Sequence, residues 1–386
     1  MFSIKRMFFA TVLLFLGFFL PLNNIYSQQP WMACECEQHY GPSELPSLFV
    51  EPRFPHVEKE LPPAVVVQPP QPVKVIRAAI DIGSGATKLR VAEVNLKTHK
   101  IEKILINESF PVQYQEQLSK NANNSFDEQV MLVGLDAIKK SKQIAMENGA
   151  QKVIAVATAS FRKAENSQAF IDKIYQETGV RVFVIDQELE GMLAFNAVLA
   201  QENYDPAHLI VWDIGGGSLQ KTAKHPVEDY QIYRGETASI HFKNMIVNDI
   251  QLKNINVVTT PNPMTAEEIH KGVLKARELA QDVDQIFKDR ILQPNAQIVG
   301  VGNIFAYGIY PIVGKKSPFT QQELYEATMN MAHKDDKQLG GGDYANVQLS
   351  NAILILGYMQ ALNIQKMDIL DINNADGALL YADFWN

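Results

Sequence analysis

The chain has 386 residues, of which 46% are hydrophobic and 20% are charged, and its formal net charge is −8 at pH 7. This length exceeds that of a typical single domain, so two lobes are expected. The acidic balance excludes a non-specific binder of duplex nucleic acid or of anionic lipid, because either activity needs a positively charged surface.

The chain begins with a segment typical of an export signal. Lys5 and Arg6 precede Met7 to Leu20, a run without any charged residue. A basic start followed by an apolar run is the pattern of a secretory signal peptide, and this run is short for a membrane span, which needs about 20 residues. We therefore predict a signal peptide over residues 1–27 and an exported protein, periplasmic or secreted. A membrane anchor formed by an uncleaved N-terminal segment is the alternative.

A proline-rich region follows the predicted signal. Residues 28–74 contain many prolines, which favour an extended linker over a packed core. The sequence has two cysteines, Cys34 and Cys36, and both lie in this region, so the rest of the chain needs no disulfide framework. We predict an N-terminal lobe over residues 75–200 and a C-terminal lobe over residues 201–386.

Hydrophobic periodicity predicts strands that alternate with helices along both lobes. Strands are predicted at 75–81, 88–95, 101–110, 152–157, 181–185, 208–213, 219–223, 230–234, 297–301 and 367–372. Helices are predicted at about 126–148, 165–178, 188–201, 237–248, 265–288, 320–332 and 346–362. Such alternation is typical of an α/β fold with mixed sheets, here in two similar lobes with a cleft between them.

One short phrase occurs twice in the chain. Asp81 is followed by the turn Gly83-Ser84-Gly85, and Asp213 is followed by the turn Gly215-Gly216-Gly217-Ser218. Each phrase follows an apolar strand and precedes a second strand. Glycine permits positive φ and carries no Cβ, so such a turn can lay backbone N–H groups against a phosphate. Two such turns predict a duplicated unit that binds a phosphate chain from both sides, and two glycine-rich hairpins without a ligand are the alternative.

Several segments resemble the exopolyphosphatase/guanosine pentaphosphate phosphohydrolase (Ppx/GppA) family of the actin-like ATPase superfamily. Ala157 to Asn166 is similar to the family's A-T-S-A-x-R-x-A-x-N segment, and Leu209 to Ser218 is similar to its second phosphate loop. Gly300 to Gly302 resembles its third glycine-rich loop, and the match covers roughly residues 75–383. The resemblance implies two ribonuclease H-like lobes with an interlobe cleft.

The resemblance also implies an activity and its residues. The family hydrolyses phosphoanhydrides with Mg²⁺, and the implied substrate is inorganic polyphosphate or a guanosine pentaphosphate-like nucleotide. Glu190 lies on a segment similar to the family's catalytic-glutamate helix and is the expected base, while Arg162 can offset phosphate charge. Asp81, Asp213 and Gln220 are the expected metal ligands. Whether the protein forms a homodimer is left open.

Phosphate binding is expected from both glycine turns and from one lysine on the strand that follows the first turn. The expected phosphate-binding residues are Gly83, Ser84, Gly85, Lys88, Gly215, Gly216, Gly217 and Ser218.

Some positions depart from the family's pattern. Leu189 stands where the family has the first of two adjacent glutamates, Met192 where it has an arginine, and Gln220 where it has a glutamate that helps to place the metal. Glutamine keeps an oxygen but loses the negative charge, so Mg²⁺ affinity should fall. A catalytically degenerate module that binds polyphosphate or a nucleotide is therefore the alternative function, and a nucleotide-driven actin-like scaffold is a third.

Two further segments have structural interpretations. The glycine-rich stretch from Asp335 to Asp343 lacks the alternating ligand spacing of a calcium loop, so it is predicted to be a surface loop. Phe384 and Trp385 are predicted to anchor the C-terminus by packing.

Overall fold

The computed structural model describes residues 73–201, 204–225, 227 and 229–386. The predicted signal peptide over residues 1–27 and the linker up to residue 72 lie outside the described residues. No described helix is both long and apolar enough to span a membrane.

The described residues form two sheets surrounded by helices. The strands are β1 (Lys74–Ile82), β2 (Ala86–Asn95), β3 (Lys100–Pro111), β4 (Val153–Ala157), β5 (Arg181–Val184), β6 (Leu209–Ile214), β7 (Leu219–Lys224), β8 (Tyr230–Gly235), β9 (Gln297–Val301), β10 (Phe319–Thr320) and β11 (Lys366–Ile369). The helices are α1 (Tyr114–Leu118), α2 (Glu128–Glu147), α3 (Ala159–Lys163), α4 (Ser167–Thr178), α5 (Gln187–Gln201), α6 (Ser239–Met245), α7 (Ala266–Leu279), α8 (Gln285–Ile291), α9 (Tyr310–Ile312), α10 (Gln321–Met329), α11 (Ala345–Ala361) and α12 (Asn374–Leu380).

The two sheets share one strand pattern. The first has the order β3-β2-β1-β4-β5, and the second contains the corresponding order β8-β7-β6-β9-β11, extended at one edge by β10. In each, a three-strand antiparallel meander is joined to parallel strands at its first strand. The predicted α/β fold with two similar lobes is confirmed.

The two copies of the repeated phrase also have the same cross-strand pairing. Asp81 pairs with Lys88 across β1 and β2, and Asp213 pairs with Gln220 across β6 and β7. Both residues of the second pair lie 132 positions after their counterparts in the first. Gln220 therefore holds in the second lobe the position that Lys88 holds in the first.

The prediction of one long helix over 265–288 is wrong, because the structure has two shorter helices there. α7 ends at Leu279, and α8 begins at Gln285. Between them Val283 is extended, with φ −64° and ψ 130°, and its side chain is buried in the core of the second lobe. Burying this β-branched side chain requires the chain to leave the helix, and Asp284 then precedes the first turn of α8.

Two predictions near the third glycine turn also need correction. The strand predicted over 367–372 ends at Ile369, and the helix α12, which was not predicted, follows it. Asn373 caps α12 in a reciprocal capping box with Asp376. The Asn373 side chain bonds to the first turn of α12, so residue 373 begins a helix and does not extend the strand.

The helix predicted over 237–248 begins two residues later in the structure, and its second half is π-helical. α6 covers Ser239–Met245 and continues as a π-helical segment over Ile246–Ile250. The wider turn is closed by Gln251 N–H, which donates to the carbonyl oxygen of Ile246 at 2.9 Å. Hydrophobic spacing alone does not distinguish a π-helical end from an α-helical one.

Helices α5 and α12 lie between the two sheets. Ala375, Ala378 and Leu379 of α12 pack with residues of β1, β2 and β4, whereas Phe195 and Val198 of α5 pack with β6 and β9. The layer between the lobes is therefore built from apolar contacts with both sheets.

An ion cluster around the buried Arg90 connects the C-terminal segment to the first sheet. Arg90 of β2 contacts Asp376 at 3.2 Å and Asp371 at 3.0 Å. Further along, Phe384 is buried and the Trp385 indole N–H donates to the carbonyl oxygen of Ala378 at 2.9 Å. The end of the chain is packed against the fold, as predicted for a C-terminal anchor.

Lys221 is a buried lysine in the core of the second lobe. Its Nζ lies 3.7 Å from the ring centre of Trp212 and 4.3 Å from that of Tyr358. This atom has no hydrogen-bond partner within the described part of the chain. Burial lowers the pKa of Lys221 well below its usual value.

Lys221→Met is expected to raise the free energy of unfolding by about 1–3 kcal/mol at pH 7, because it removes a buried amine without a polar partner. The gain in stability over wild type should shrink as pH rises towards about 10.4, since the unfolded wild-type chain binds a proton at Lys221 that its folded state does not. Urea unfolding at several pH values measures both effects. A less stable variant would contradict the prediction.

Candidate active site in the interlobe cleft

The two glycine turns have the same local geometry. Gly83 N–H donates to the carbonyl oxygen of Ala86, and Gly215 N–H donates to that of Ser218, both at 2.9 Å. In each case the first glycine bonds to the residue three positions later, which closes the hairpin. The hairpins are therefore structural equivalents, as the repeated phrase indicated.

The turns meet at the junction of the lobes. A Cβ on Gly216 would lie 2.7 Å from the Cβ of Ser84, and a Cβ on Gly217 would lie 3.1 Å from the Ser84 Oγ. Both distances are shorter than ordinary contacts, so only glycine permits this approach. The structure thus brings the two predicted phosphate-binding turns face to face.

The turns line a cavity of about 320 Å³, together with Asp81, Lys88, Glu190 and Asp213. The third glycine-rich turn closes one side. Gly302 has φ +86°, and a Cβ there would lie 2.8 Å from the Asp213 Oδ1. Glycine is required at this position both by the backbone conformation and by the approach to the carboxylate.

Glu190 is held on α5 close to the second hairpin. A Cβ on Gly191 would lie 2.4 Å from the Thr222 Oγ1, so this glycine lets α5 pack tightly on β7. The Glu190 side chain is 4% exposed, and the Gln220 Nε2 donates to its Oε2 at 3.3 Å. The close packing of helix on strand therefore sets the position of the carboxylate.

Arg162 lies at the end of the short helix α3, which the sequence did not predict. Its guanidinium donates to the Glu190 Oε2 at 2.8 Å, to the Ile185 carbonyl oxygen at 2.7 Å and to the Ser218 Oγ at 3.2 Å. Arg162 is not among the described residues that line the cavity. The structure thus brings Arg162 to Glu190 and places it behind the cavity wall.

The carboxylates have strongly shifted pKa values. Burial raises the pKa of Glu190 to about 8, an effect that the Arg162 guanidinium opposes and that Asp213 and Asp81 add to. Burial likewise raises the pKa of Asp213 to about 7, with Lys88 opposing the shift. Burial alone would lower the pKa of Lys88, but Asp81 and Asp213 raise it overall. Lys88 therefore stays positively charged, and its Nζ forms an ion pair with the Asp81 Oδ2 at 3.0 Å.

These shifts predict a pH-dependent stability. The folded state holds the Glu190 proton up to about pH 8, whereas an unperturbed glutamate releases it near 4.5. In this window the folded state holds the Glu190 proton and the unfolded chain does not, so the contribution of Glu190 to the free energy of unfolding should fall as pH rises. Urea unfolding with EDTA should therefore give wild type a more negative, or less positive, slope of the free energy of unfolding against pH than Glu190→Gln. Equal slopes for the two proteins would contradict the assignment.

The oxygen atoms near these carboxylates fit a hard cation. The Asp81 Oδ1 and the Gln220 Oε1 are buried and have no hydrogen-bond partner among the described residues. Across the described ranges, no group of three or more His, Cys, Asp or Glu side chains is placed to hold a metal ion. The two unbonded oxygens suit a hard divalent cation that takes one or two protein oxygens and completes its shell with waters.

None of the three departures from the family pattern lies on the cavity wall. The described lining residues do not include Leu189, Met192 or Gln220, and Leu189 packs against the apolar layer between the sheets. Gln220 still touches the site, because its Nε2 donates to Glu190, which lines the cavity.

Sequence reasoning missed one wall of the cleft. Tyr307, Asp343, Tyr344, Asn351 and Asn374 all line the cavity. The stretch predicted as a surface loop therefore contributes Asp343 to the cleft. Asn351 carried a signal, since it is a polar residue at the start of an otherwise apolar run in α11.

Comparison with known proteins finds similarity to one family. Residues 78–228, which are less than half of the chain, match the model of the Ppx/GppA phosphatase family. Exopolyphosphatase 1 of Mycobacterium bovis is 34% identical over 86 residues, which cover 22% of this chain and 25% of that protein. The guanosine-5'-triphosphate,3'-diphosphate pyrophosphatase of Photobacterium profundum is 27% identical over 150 residues, covering 39% and 29%.

The likeness in structure extends further than the likeness in sequence. A Ppx/GppA enzyme of Aquifex aeolicus aligns with a TM-score of 0.61 at 20% identity, covering 80% of this chain and 99% of that one. By contrast, the chain matches about a quarter of the length of the first curated relatives. The fold is therefore shared with the Ppx/GppA enzymes over both lobes.

Proposed function

We propose that this chain is a Ppx/GppA protein and a Mg²⁺-dependent phosphoanhydride hydrolase that acts on inorganic polyphosphate or on a guanosine pentaphosphate-like nucleotide. The observation that carries the proposal is the gathering of both glycine turns, Asp81, Asp213 and Glu190 around one cavity. The relatives named as an exopolyphosphatase and as a guanosine pyrophosphatase support the same class of substrate.

The chemistry needs a held phosphate and a deprotonated water. Backbone N–H groups of residues 84–85 and 216–218 bind the terminal phosphate, since those of Gly83 and Gly215 already close the hairpins, and Lys88 offsets its charge. Glu190 accepts the proton of the attacking water, and a base is most effective when its pKa lies near the working pH. Arg162 holds the Glu190 carboxylate in place through a 2.8 Å bond. Asp81 and Asp213, with Gln220 beside them, would hold Mg²⁺, which would supply charge stabilisation on the phosphate oxygens.

The proposal is tested by orthophosphate release from long-chain polyphosphate and from guanosine pentaphosphate, each with Mg²⁺ and with EDTA. Release that requires Mg²⁺ is the expected result. Binding of either compound without any release of orthophosphate would instead favour a degenerate binding module. The natural Gln220, where the family has a glutamate, supports that alternative.

Gln220→Glu is expected to make the protein more dependent on Mg²⁺. The new carboxylate would lose the donated bond to Glu190, now 3.3 Å long, and would repel it. Without metal the variant should unfold at a lower temperature than wild type, and Mg²⁺ should stabilise it by the larger increment. Thermal unfolding with EDTA and with Mg²⁺ measures this. If Mg²⁺ raises the unfolding temperature of both proteins equally, Gln220 is not part of the metal site.

We also propose that the protein is exported, on the basis of Lys5, Arg6 and the uncharged run that follows. An uncleaved membrane anchor is the alternative. N-terminal sequencing of the protein from its native compartment tests this, and an intact Met1 on a soluble cytoplasmic protein would overturn both forms.

A further inference from the structure

The Tyr344 hydroxyl connects a segment of the second lobe to the first glycine turn. It donates to the carbonyl oxygen of Gly85 at 3.0 Å, across 259 positions of the chain. The Tyr344 ring also lies beside the turn, because a Cβ on Gly85 would be 3.7 Å from its Cε1. Both residues line the cavity. The hydrolysis described above gives this bond between the lobes no role.

The bond completes the set of donors that hold the peptide groups of the first turn. Gln115 N–H donates to the Ser84 carbonyl oxygen at 2.9 Å, and Val112 N–H donates to the Gly85 carbonyl oxygen at 3.2 Å. A carbonyl oxygen accepts two bonds, so the Tyr344 hydroxyl satisfies the remaining lone pair of Gly85. A trans peptide points its C=O and N–H groups in opposite directions, so holding these oxygens also aims the amide N–H groups of the turn.

The Tyr344 bond restrains a peptide that is otherwise weakly held. The bond from Val112 lies at the long end of the usual range for N–H donors. Gly85 has no Cβ to limit rotation of its peptide groups. A rotated peptide would turn its carbonyl oxygen towards a bound phosphate, and two negative groups repel each other. Fixed backbone dipoles bind an anion best when they cannot reorient, and Tyr344 supplies that restraint.

Tyr344 is carried by the glycine-rich stretch that the sequence predicted to be a surface loop. Residues 340–342 of this stretch are glycines with positive φ, and a Cβ on any of them would have no described atom within 4 Å. Both ends are held by one side chain, because the Asn262 Nδ2 donates to the Asp336 Oδ1 at 2.8 Å and to the Ala345 carbonyl oxygen at 3.2 Å. We call residues 336–345 the strap. Its fixed end at Ala345 places Tyr344 at the cleft.

We propose that Tyr344 is a positioning residue for the first phosphate-binding turn, and that the strap brings its hydroxyl to the Gly85 carbonyl from the second lobe. The inference rests on the proposed function and adds a residue to that site. Tyr344 acts through the turn and not on the reacting atoms. Because the turn binds the terminal phosphate, loss of the hydroxyl weakens the binding of a phosphate chain and slows its hydrolysis.

Two substitutions separate the hydroxyl from the ring. Tyr344→Phe removes the hydroxyl alone, and Tyr344→Ala removes the ring as well. Each should lower kcat/KM for long-chain polyphosphate with Mg²⁺ by about tenfold, since the loss of one bond lets a positioning group move. The control Tyr325→Phe should keep the wild-type value, because Tyr325 is an exposed residue of α10 and is not among the described lining residues.

Binding is measured separately from turnover. The probe is tripolyphosphate, titrated by calorimetry with Mg²⁺ into the Glu190→Gln protein, in which turnover is slow. Adding Tyr344→Phe to this background should weaken the affinity by about tenfold. The urea midpoint should stay near that of the parent, because the ring and the Val112 bond both remain. A merely structural role would instead lower the urea midpoint and leave the affinity of the folded protein unchanged.

The inference is overturned if Tyr344→Phe keeps the wild-type kcat/KM and only Tyr344→Ala loses it, because the ring would then be what matters. Unchanged tripolyphosphate affinity in the Tyr344→Phe protein would also overturn it, as would failure of the parent to bind tripolyphosphate. Weaker binding by Tyr344→Phe, with no phosphate release by wild type, would keep the role of Tyr344 and refute the hydrolase. Release by wild type that Tyr344→Phe equals would keep the hydrolase and refute the role.

Discussion

Glu190→Gln is expected to lower kcat by about 10²–10⁴-fold while KM changes little, because it removes a general base and preserves the shape of the side chain. The carboxylate lies at the cavity, is buried, and is held by Arg162 and Gln220. Glutamine can keep the bond from Arg162 through its remaining oxygen. Steady-state release of orthophosphate under saturating Mg²⁺ measures the effect.

Glu188→Gln is the matched control for this substitution. Glu188 lies one half-turn earlier on the same helix and is exposed, with its Oε2 3.8 Å from the Arg234 Nη1. The control should retain wild-type kcat. A Glu190→Gln protein that hydrolyses as fast as the control would show that another group activates the water.

Gly216→Ala is expected to reduce kcat/KM by about 100-fold, because small displacements of positioning groups are costly to catalysis. The added methyl would lie 2.7 Å from the Ser84 Cβ, so the two turns must move apart. Both turns supply N–H groups to the same phosphate in the proposed mechanism, and separating them removes that joint contact. Kinetics with a fixed substrate and Mg²⁺ concentration measure the loss.

A second substitution tests whether the clash is the cause. Ser84→Gly removes the Cβ that the new methyl would meet, so the double variant should recover most of the lost activity. Gly308→Ala is the control, because a Cβ there would have the Gln348 Oε1 at 3.9 Å as its nearest contact. Failure of Ser84→Gly to restore activity would show that glycine at 216 serves another purpose.

The two glycine hairpins of the candidate site could be predicted from the sequence because they depend on local rules. A glycine turn after an apolar strand has few alternatives, and its recurrence predicted both hairpins. The pairing of Asp81 with Lys88 was seen only in the structure. The helix that carries Glu190 followed from hydrophobic periodicity together with the family resemblance. These features need only residues close together in the chain.

The remainder depends on contacts between distant segments. Asn351 and Tyr344 reach the cleft only because α11 packs beside the first hairpin, where the Tyr344 hydroxyl bonds to the carbonyl oxygen of Gly85. The break between α7 and α8 depends on burying Val283, which periodicity does not reveal. The bond from Arg162 to Glu190 likewise joins segments whose approach is set by the packing of α5 on β7.

The most direct test of the account follows the oxygen of the attacking water. The protein is incubated with guanosine pentaphosphate and Mg²⁺ in H₂¹⁸O, and both products are analysed by mass spectrometry. Attack on the terminal phosphorus by a water that Glu190 deprotonates predicts one ¹⁸O in the released orthophosphate and none in the shortened nucleotide. Label in the nucleotide, or release at the same rate from Glu190→Gln, would contradict it.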